Sequence, residues 1–181
     1  MAGEFRSLFS TPFGVGAVHA SEHAVIKVDL PDRSQVAVAF QKNVVQFKSS
    51  RLTEYVSEQL CRYFSGEVIE FRDIPVDLLG VSPFRCKALL AIRAIPYGDF
   101  CNYAQIATEC GSPKAARAIG GAMASNPVPV IIPCHRVVGR NGRLTGFSAP
   151  GGEMLKMMLL KMEGVEFKGL LVKQKQLVMN R

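Results

Sequence analysis

Apolar and polar positions along this chain change period near its middle. Residues 14–20 and 24–30 alternate as half-buried strands do, split by the polar Ser21-Glu22, and 35–40 and 44–47 read as further extended pieces. From Arg51 the period lengthens: Leu52, Tyr55, Val56, Leu60, Tyr63 and Phe64 recur at three- and four-residue spacing. That predicts a helix over 51–64, capped by Ser50 and ended by Gly66. Residues 68–71 offer one more strand. The stretch 73–81 holds proline and glycine and no period, which marks a boundary. An α/β unit over 1–81 is therefore expected, then a mostly helical unit over 82–167 and a basic tail over 168–181.

The second unit carries clear helix punctuation. Ser82-Pro83 is an N-cap followed by proline at the first helical position, opening a helix over 84–94 that Ile95-Pro96-Tyr97-Gly98 breaks. Asn102 with Gln105 forms a capping-box pattern for a short helix over 103–110. Gly111-Ser112-Pro113 is a tight turn that caps the next helix, 113–124, and the pair reads as a helix-turn-helix. A last helix over 153–162 sets Met154, Leu155, Met158, Leu159 and Met162 on one face, and Gly164 closes it. From Val165 onward the chain, with Lys168, Lys173, Lys175 and Arg181, reads as a loosely held basic tail.

Composition narrows the class. A chain of 181 residues with 48% hydrophobic and 20% charged residues is an ordinary globular protein. Its net charge of +7 favours a polyanionic partner, nucleic acid first. The five cysteines, Cys61, Cys86, Cys101, Cys110 and Cys134, are odd in number and form no Cys-x-x-Cys pair, which argues against a disulfide framework or a zinc knuckle. His19 and His23 stand four apart, but in a stretch read as strands, so no metal site is expected. With no leader pattern and no long apolar run, the protein is expected to be soluble and cytoplasmic, away from membranes.

The chemistry concentrates in Pro133-Cys134-His135-Arg136-Val137. Pro127, Pro129 and Pro133 hold the approach to it extended, and Val128, Val130, Ile131 and Ile132 read as a buried lead-in. A thiolate is the strongest side-chain nucleophile, and a neighbouring imidazole can take its proton. The alternative for Cys134 alone is a small buried hydrophobe. The slim stretch Lys114-Ala115-Ala116-Arg117-Ala118-Ile119-Gly120-Gly121 has two readings: a tightly packed core helix, or a surface that meets a phosphate backbone through Lys114, Arg117 and its N-terminus. Glu163, at the negative end of a helix, is either solvated or paired with a histidine. Arg136, Arg140 and Arg143 are either an exposed loop or a phosphate-contacting rim.

Taken together, these residues resemble the O6-alkylguanine-DNA alkyltransferases, also called methylated-DNA–protein-cysteine methyltransferases. The resemblance runs colinearly from Ser82-Pro83-Phe84 through Ile95-Pro96-Tyr97-Gly98, Tyr103, the segment 115–122 and the segment 126–138, to Glu163-Gly164. It implies a ribonuclease-H-like first domain and a winged-helix-like catalytic domain. It implies DNA repair by direct reversal, one alkyl group moving from guanine O6 (or thymine O4) to Cys134, once per molecule and without a cofactor. His135 would take the thiol proton through a water, and Glu163 would orient and balance that histidine. Asn126 would hold the active-site segment. Tyr103 would crowd the 3′ phosphate of the target nucleotide, help rotate it out and supply a proton to the leaving base.

The same resemblance makes double-stranded DNA, met in its minor groove by a monomer, the partner. Arg117 would fill the gap left by a flipped guanine, beside contacts from Ser112, Lys114, Ala115, Ala116, Arg136 and Tyr103. Pro133, Val137, Phe147 and Ser148 would line the pocket. Two departures stand out. Phe147 replaces a tyrosine found in many members, and the loop 148–152 is two residues longer than in the shortest ones. A thiol hydrolase or transferase built on Cys134, His135 and Glu163, and a non-catalytic DNA-binding regulator, are the competing readings.

Overall fold

A computed structural model of the chain describes residues 4–32, 48–149 and 151–173. The chain divides into two compact units: Met1–Leu79 with Pro127–Pro129, and Gly80–Asn126 with Val130–Arg181.

The first unit is built on an antiparallel sheet of order β1-β2-β3, with β1 at Phe5–Thr11, β2 at Gly14–Ala20 and β3 at Val25–Asp32. β1 has no counterpart in the expected strands. Its Ser7 faces helix α1 (Arg51–Phe64) and bonds Thr53 there at 2.8 Å, so polar residues occupy positions where a strand pattern calls for apolar ones. Ser50 caps α1 as expected, accepting from the Thr53 N–H at 3.2 Å. The buried face of α1 is Thr53, Val56, Ser57, Leu60, Tyr63 and Phe64; Tyr55, expected inside, is 54% exposed. Phe9 stacks on Phe64, and Tyr63 meets Phe64 and Phe71 edge to face in this core.

The strand expected over 68–71 is absent. Ile69 and Phe71 are buried as the alternation requires, but residues 68–71 do not take up strand structure. The pieces expected over 35–40 and 44–47 lie outside the described residues. His19 is committed to carboxylates, Nε2 to Asp29 at 2.8 Å and Nδ1 to Glu4 at 3.1 Å.

The second unit holds α2 (Pro83–Arg93), β4 (Cys101–Asn102), α3 (Tyr103–Glu109), α4 (Ala116–Ala124), a 3₁₀ turn at Cys134–Arg136, β5 (Val137–Val138), α5 (Gly152–Met162) and the strands β6 (Phe167–Lys168) and β7 (Leu171–Val172). Asn102 closes the expected capping box on α3, bonding the Ala104 and Gln105 N–H groups at 3.0 Å. The helix expected over 113–124 begins only at Ala116: the Ala115 N–H turns back to Ser112 O at 2.8 Å, so Ser112 closes a turn and caps nothing. α3 and α4 pack on each other and on α2.

α5 ends in a Schellman motif, with Val165 N–H to Leu160 O and Gly164 N–H to Lys161 O, and Gly164 at φ +80°. Its buried face is Leu155, Lys156, Leu159 and Leu160; Met154 and Met158 are exposed instead. The loose tail expected from Val165 is corrected as far as Lys173. β6 and β7 pair as a hairpin, Val165 and Val172 are buried, and the Val172 N–H bonds Gly142 O at 2.9 Å. Among the described residues no helix is long and apolar enough to cross a membrane.

Candidate active site

Three backbone features fix the Cys134–Arg136 turn. β5 follows it directly and pairs in parallel with β4, Val137 beside Cys101 and Val138 beside Asn102. The Ile132 carbonyl accepts from the Cys134 N–H at 2.8 Å and from Asn126 Nδ2 at 2.9 Å. The Arg136 N–H returns to Pro133 O at 2.9 Å. Asn126 thus ties the approach segment to the turn. Pro133, Cys134, His135 and Val137 are all buried.

Beneath the turn lies a buried ionic cluster. His135 Nε2 is 2.8 Å from Glu163 Oε1. Arg136 grips the same carboxylate side-on, Nε to Oε2 at 2.9 Å and a terminal nitrogen to Oε1 at 3.0 Å, and gives its other terminal nitrogen to Ile95 O at 2.6 Å. This corrects the expectation for Arg136. Only 3% exposed, it is no phosphate-contacting rim; its charge neutralises Glu163 inside the protein.

Ile95-Pro96-Tyr97-Gly98, read in the sequence only as a helix breaker, is the other wall of this cluster. The Gly98 N–H donates to Glu163 Oε2 at 3.3 Å, Tyr97 Oη donates to Met162 O at 3.0 Å, and the Arg136 guanidinium lies over the Tyr97 ring. Gly98 has φ +77°, and a Cβ there would stand 2.9 Å from Glu163 O. Gly98→Ala is therefore expected to destabilise the protein by about 2 kcal/mol or more, combining left-handed strain with a backbone clash. Gly66→Ala, at φ +93° with open space around it, should cost only the strain, about 1 kcal/mol. Urea unfolding of the two variants checks the difference.

The electrostatics follow from burial. Burial would raise the Glu163 carboxyl, but His135 and Arg136 outweigh it and hold it at about 2. Burial lowers His135, so the resting imidazole is neutral and its proton sits on Nε2 facing the carboxylate, leaving Nδ1 as the basic nitrogen. Burial raises Cys134, which rests as a thiol; the Asn126 side chain and Lys156 act in the opposite direction and favour the thiolate. Tyr103 is raised by burial and rests as a phenol.

Lys156 is the functional residue that sequence reasoning missed. It is 0% exposed, with Nζ donating to Val137 O at 2.6 Å and Thr145 O at 2.8 Å. Thr145 O also accepts from Tyr103 Oη at 3.0 Å, so one carbonyl joins the lysine to the tyrosine. Burial lowers Lys156 to about 8, still above neutral pH, so it remains a cation that favours a thiolate at Cys134. Its neighbours Leu155 and Leu159 placed the buried face nearby, but nothing in the spacing marks a lysine as inside.

The expected DNA-facing residues are spread along α4 and the turn before it. Arg117 and Lys114 are exposed, Lys114 ahead of the helix; Ser112, Ala115 and Ala116 are half-buried. Gly121 would meet nothing within 4 Å if it carried a Cβ, and Gly120 would meet only the Tyr103 ring at 3.8 Å. Internal packing thus requires neither glycine. Phe147 is half-buried, and Ser148 is exposed with its hydroxyl donating to Ala124 O at 3.3 Å.

Known proteins resemble this chain in sequence and in fold. Residues 83–165 match the family described as 6-O-methylguanine DNA methyltransferase, DNA binding domain. A constitutive methylated-DNA–protein-cysteine methyltransferase of Bacillus subtilis is 37% identical over 161 residues, covering 87% of this chain and 94% of its own length. A protein of the same name from Mycolicibacterium paratuberculosis is 47% identical over 106 residues, and that match spans 59% of this chain and 62% of the relative. The solved O6-methylguanine methyltransferase of Mycobacterium tuberculosis superimposes with a TM-score of 0.70 at 30% identity, over 88% of this chain and 92% of that one. The M. tuberculosis protein solved in complex with DNA gives 0.71 at 32% identity over the same shares. At 36% and 37% identity over 84% and 87% of its length to relatives of that name, this chain belongs to the methylated-DNA–protein-cysteine methyltransferase family.

Proposed function

We propose that the protein repairs alkylated DNA by direct reversal, moving a methyl or similar group from guanine O6, or thymine O4, irreversibly onto Cys134. The observation that carries this reading is the buried relay: a resting thiol, a neutral His135 and an ionised Glu163 held by Arg136. The Cys134 proton passes through a water to His135 Nδ1, and Glu163 stabilises the imidazolium that results. Sγ attacks the alkyl carbon in line. The S–C bond forms as the C–O6 bond breaks, and the electron pair of that bond goes to the purine. Tyr103, a phenol at rest, gives the purine a proton as it leaves. The thioether left on Cys134 is a poor substrate for hydrolysis, so one molecule repairs one lesion.

The target base reaches a buried thiol only by leaving the stack, at a cost of a few kcal/mol that is smaller for a badly paired base. Arg117, exposed on α4, is suited to occupy the gap, and the open space over Gly121 lets a minor-groove backbone come close. We further read β1-β2-β3 with α1 as a ribonuclease-H-like arrangement, and α2, α3, α4 and the β6–β7 hairpin as a winged-helix-like one.

Mixed with excess O6-methylguanine duplex, the protein should restore guanine in an amount equal to itself and no more. Turnover beyond one equivalent, or ester hydrolysis without DNA, would favour a thiol hydrolase. Binding without any transfer would favour a regulator. Arg117→Ala should lower duplex affinity only modestly, because phosphate contacts are shared among several cations. Its repair of duplex should fall far more than its reaction with free O6-methylguanine. Equal losses on the two substrates would remove the wedge role.

A further inference from the structure

Tyr103 stands at the first position of α3, half-buried, with its hydroxyl against the loop 143–148. Thr145 brackets that hydroxyl: its carbonyl accepts from Tyr103 Oη at 3.0 Å, and its own hydroxyl donates to Oη at 3.4 Å. Gly146 follows at φ +64°, and a Cβ there would stand 3.0 Å from Tyr103 Oη, tighter than ordinary van der Waals contact. A side chain at 146 would therefore press the phenol away from the Thr145 carbonyl. Neither partner is placed to give way. Lys156 Nζ holds Thr145 O at 2.8 Å and Val137 O at 2.6 Å. Ahead of it the loop is tied by the Gly139 N–H to Arg143 O at 2.8 Å, and behind it by the Ser148 hydroxyl to Ala124 O at 3.3 Å. On the other side, the Asn102 cap fixes the start of α3. All of these residues belong to the second unit.

Resting on the alkyl-transfer reading above, we propose that Gly146 is a positioning residue for the departing base: the side chain it lacks is what lets Tyr103 Oη rest on Thr145 O, and a phenol held there is the one that protonates the purine. Burial, and after it the charge of a Cys134 thiolate, keeps the proton on Oη against the Thr145 hydroxyl, so it is still there when the C–O6 bond breaks. Gly146 acts through the phenol and leaves the Cys134, His135 and Glu163 relay as it is.

The full-length Gly146→Ala, Tyr103→Phe and Gly169→Ala variants, with the Gly146→Ala/Tyr103→Phe double variant, test this. Gly169, at φ +62° with open space where a Cβ would go, carries the same left-handed strain with nothing to displace. Single-turnover methyl transfer from duplex is compared with the reaction of Cys134 with an aromatic disulfide, whose leaving thiolate needs no proton. The ¹³Cζ resonance of Tyr103, assigned by its loss in Tyr103→Phe, reports the phenol itself. Gly146→Ala should slow methyl transfer by about tenfold, since a displaced general acid loses much of its contribution. The double variant should be no slower than Tyr103→Phe, because a residue acting through the phenol then has nothing to act on. In Gly146→Ala the disulfide reaction should keep its parental rate and the Tyr103 resonance should move. Gly169→Ala should match the parent in all three. Parental transfer by Gly146→Ala, equal slowing by Gly169→Ala, a loss that multiplies with that of Tyr103→Phe, a changed disulfide rate or an unmoved resonance would overturn the proposal. A parent that transfers no methyl group would count against the alkyl-transfer reading, and the Tyr103 resonance, which needs no DNA, would still decide whether Gly146 sets the place of the phenol.

Discussion

Glu163→Ala should be the most damaging single change to the stability of the second unit. The carboxylate is fully buried and accepts from His135, from Arg136 at two points and from Gly98. Removing it leaves the Arg136 guanidinium buried with its charge uncompensated, a change that costs about 3–5 kcal/mol in comparable pairs. The parent's pH dependence should carry the same signature. Glu163 is held at about 2 in the folded protein against 4.5 for an unperturbed glutamate. A depressed carboxyl contributes stability that is fully present above the unfolded value and is lost as pH falls through the folded one. The contribution of Glu163 should therefore fade between roughly pH 4.5 and 2, and Glu163→Ala should lack that component of the acid transition. Glu163→Gln keeps the shape without the charge. It should retain more stability than Glu163→Ala, yet slow transfer by about ten- to a hundredfold, less than removing the base itself in His135→Ala. Urea unfolding across acid pH, beside single-turnover rates, separates the two roles.

Much of the site was legible because its residues are bound to local backbone signals. The prolines around Cys134 predicted an extended, fixed approach, and the structure supplies a tight turn held by Asn126 and β5. Gly164 predicted the end of α5, and the Schellman motif there places Glu163 at its last turn. What was not legible depends on partners distant in sequence. Arg136 and Arg140 look alike in a basic loop, and nothing local marks that Arg136 meets a buried carboxylate 27 residues away. Lys156 sits one position from an apolar stripe and turns inward because two carbonyls are there to receive it. At 68–71 the alternation buries Ile69 and Phe71 correctly, but inward-facing alternate residues do not by themselves make a strand.

The chain holds five cysteines, and the account requires that one of them alone reacts. Cys101 is pushed up to about 12 by burial, which suppresses its thiolate. Cys134 is also raised by burial, but it has Asn126 and Lys156 favouring its thiolate and His135 as its neighbour in the chain. Cys134→Ser should fold and bind duplex DNA while transferring nothing, because a hydroxyl without thiolate character is a far weaker nucleophile. The most direct test is the mass of the intact protein after incubation with excess O6-methylguanine duplex, followed by peptide mapping. The account predicts a gain of one CH₂ unit per molecule, all of it on the Cys134 peptide, and no gain in Cys134→Ser. A methyl group on another cysteine, more than one per molecule, or transfer by Cys134→Ser would contradict it.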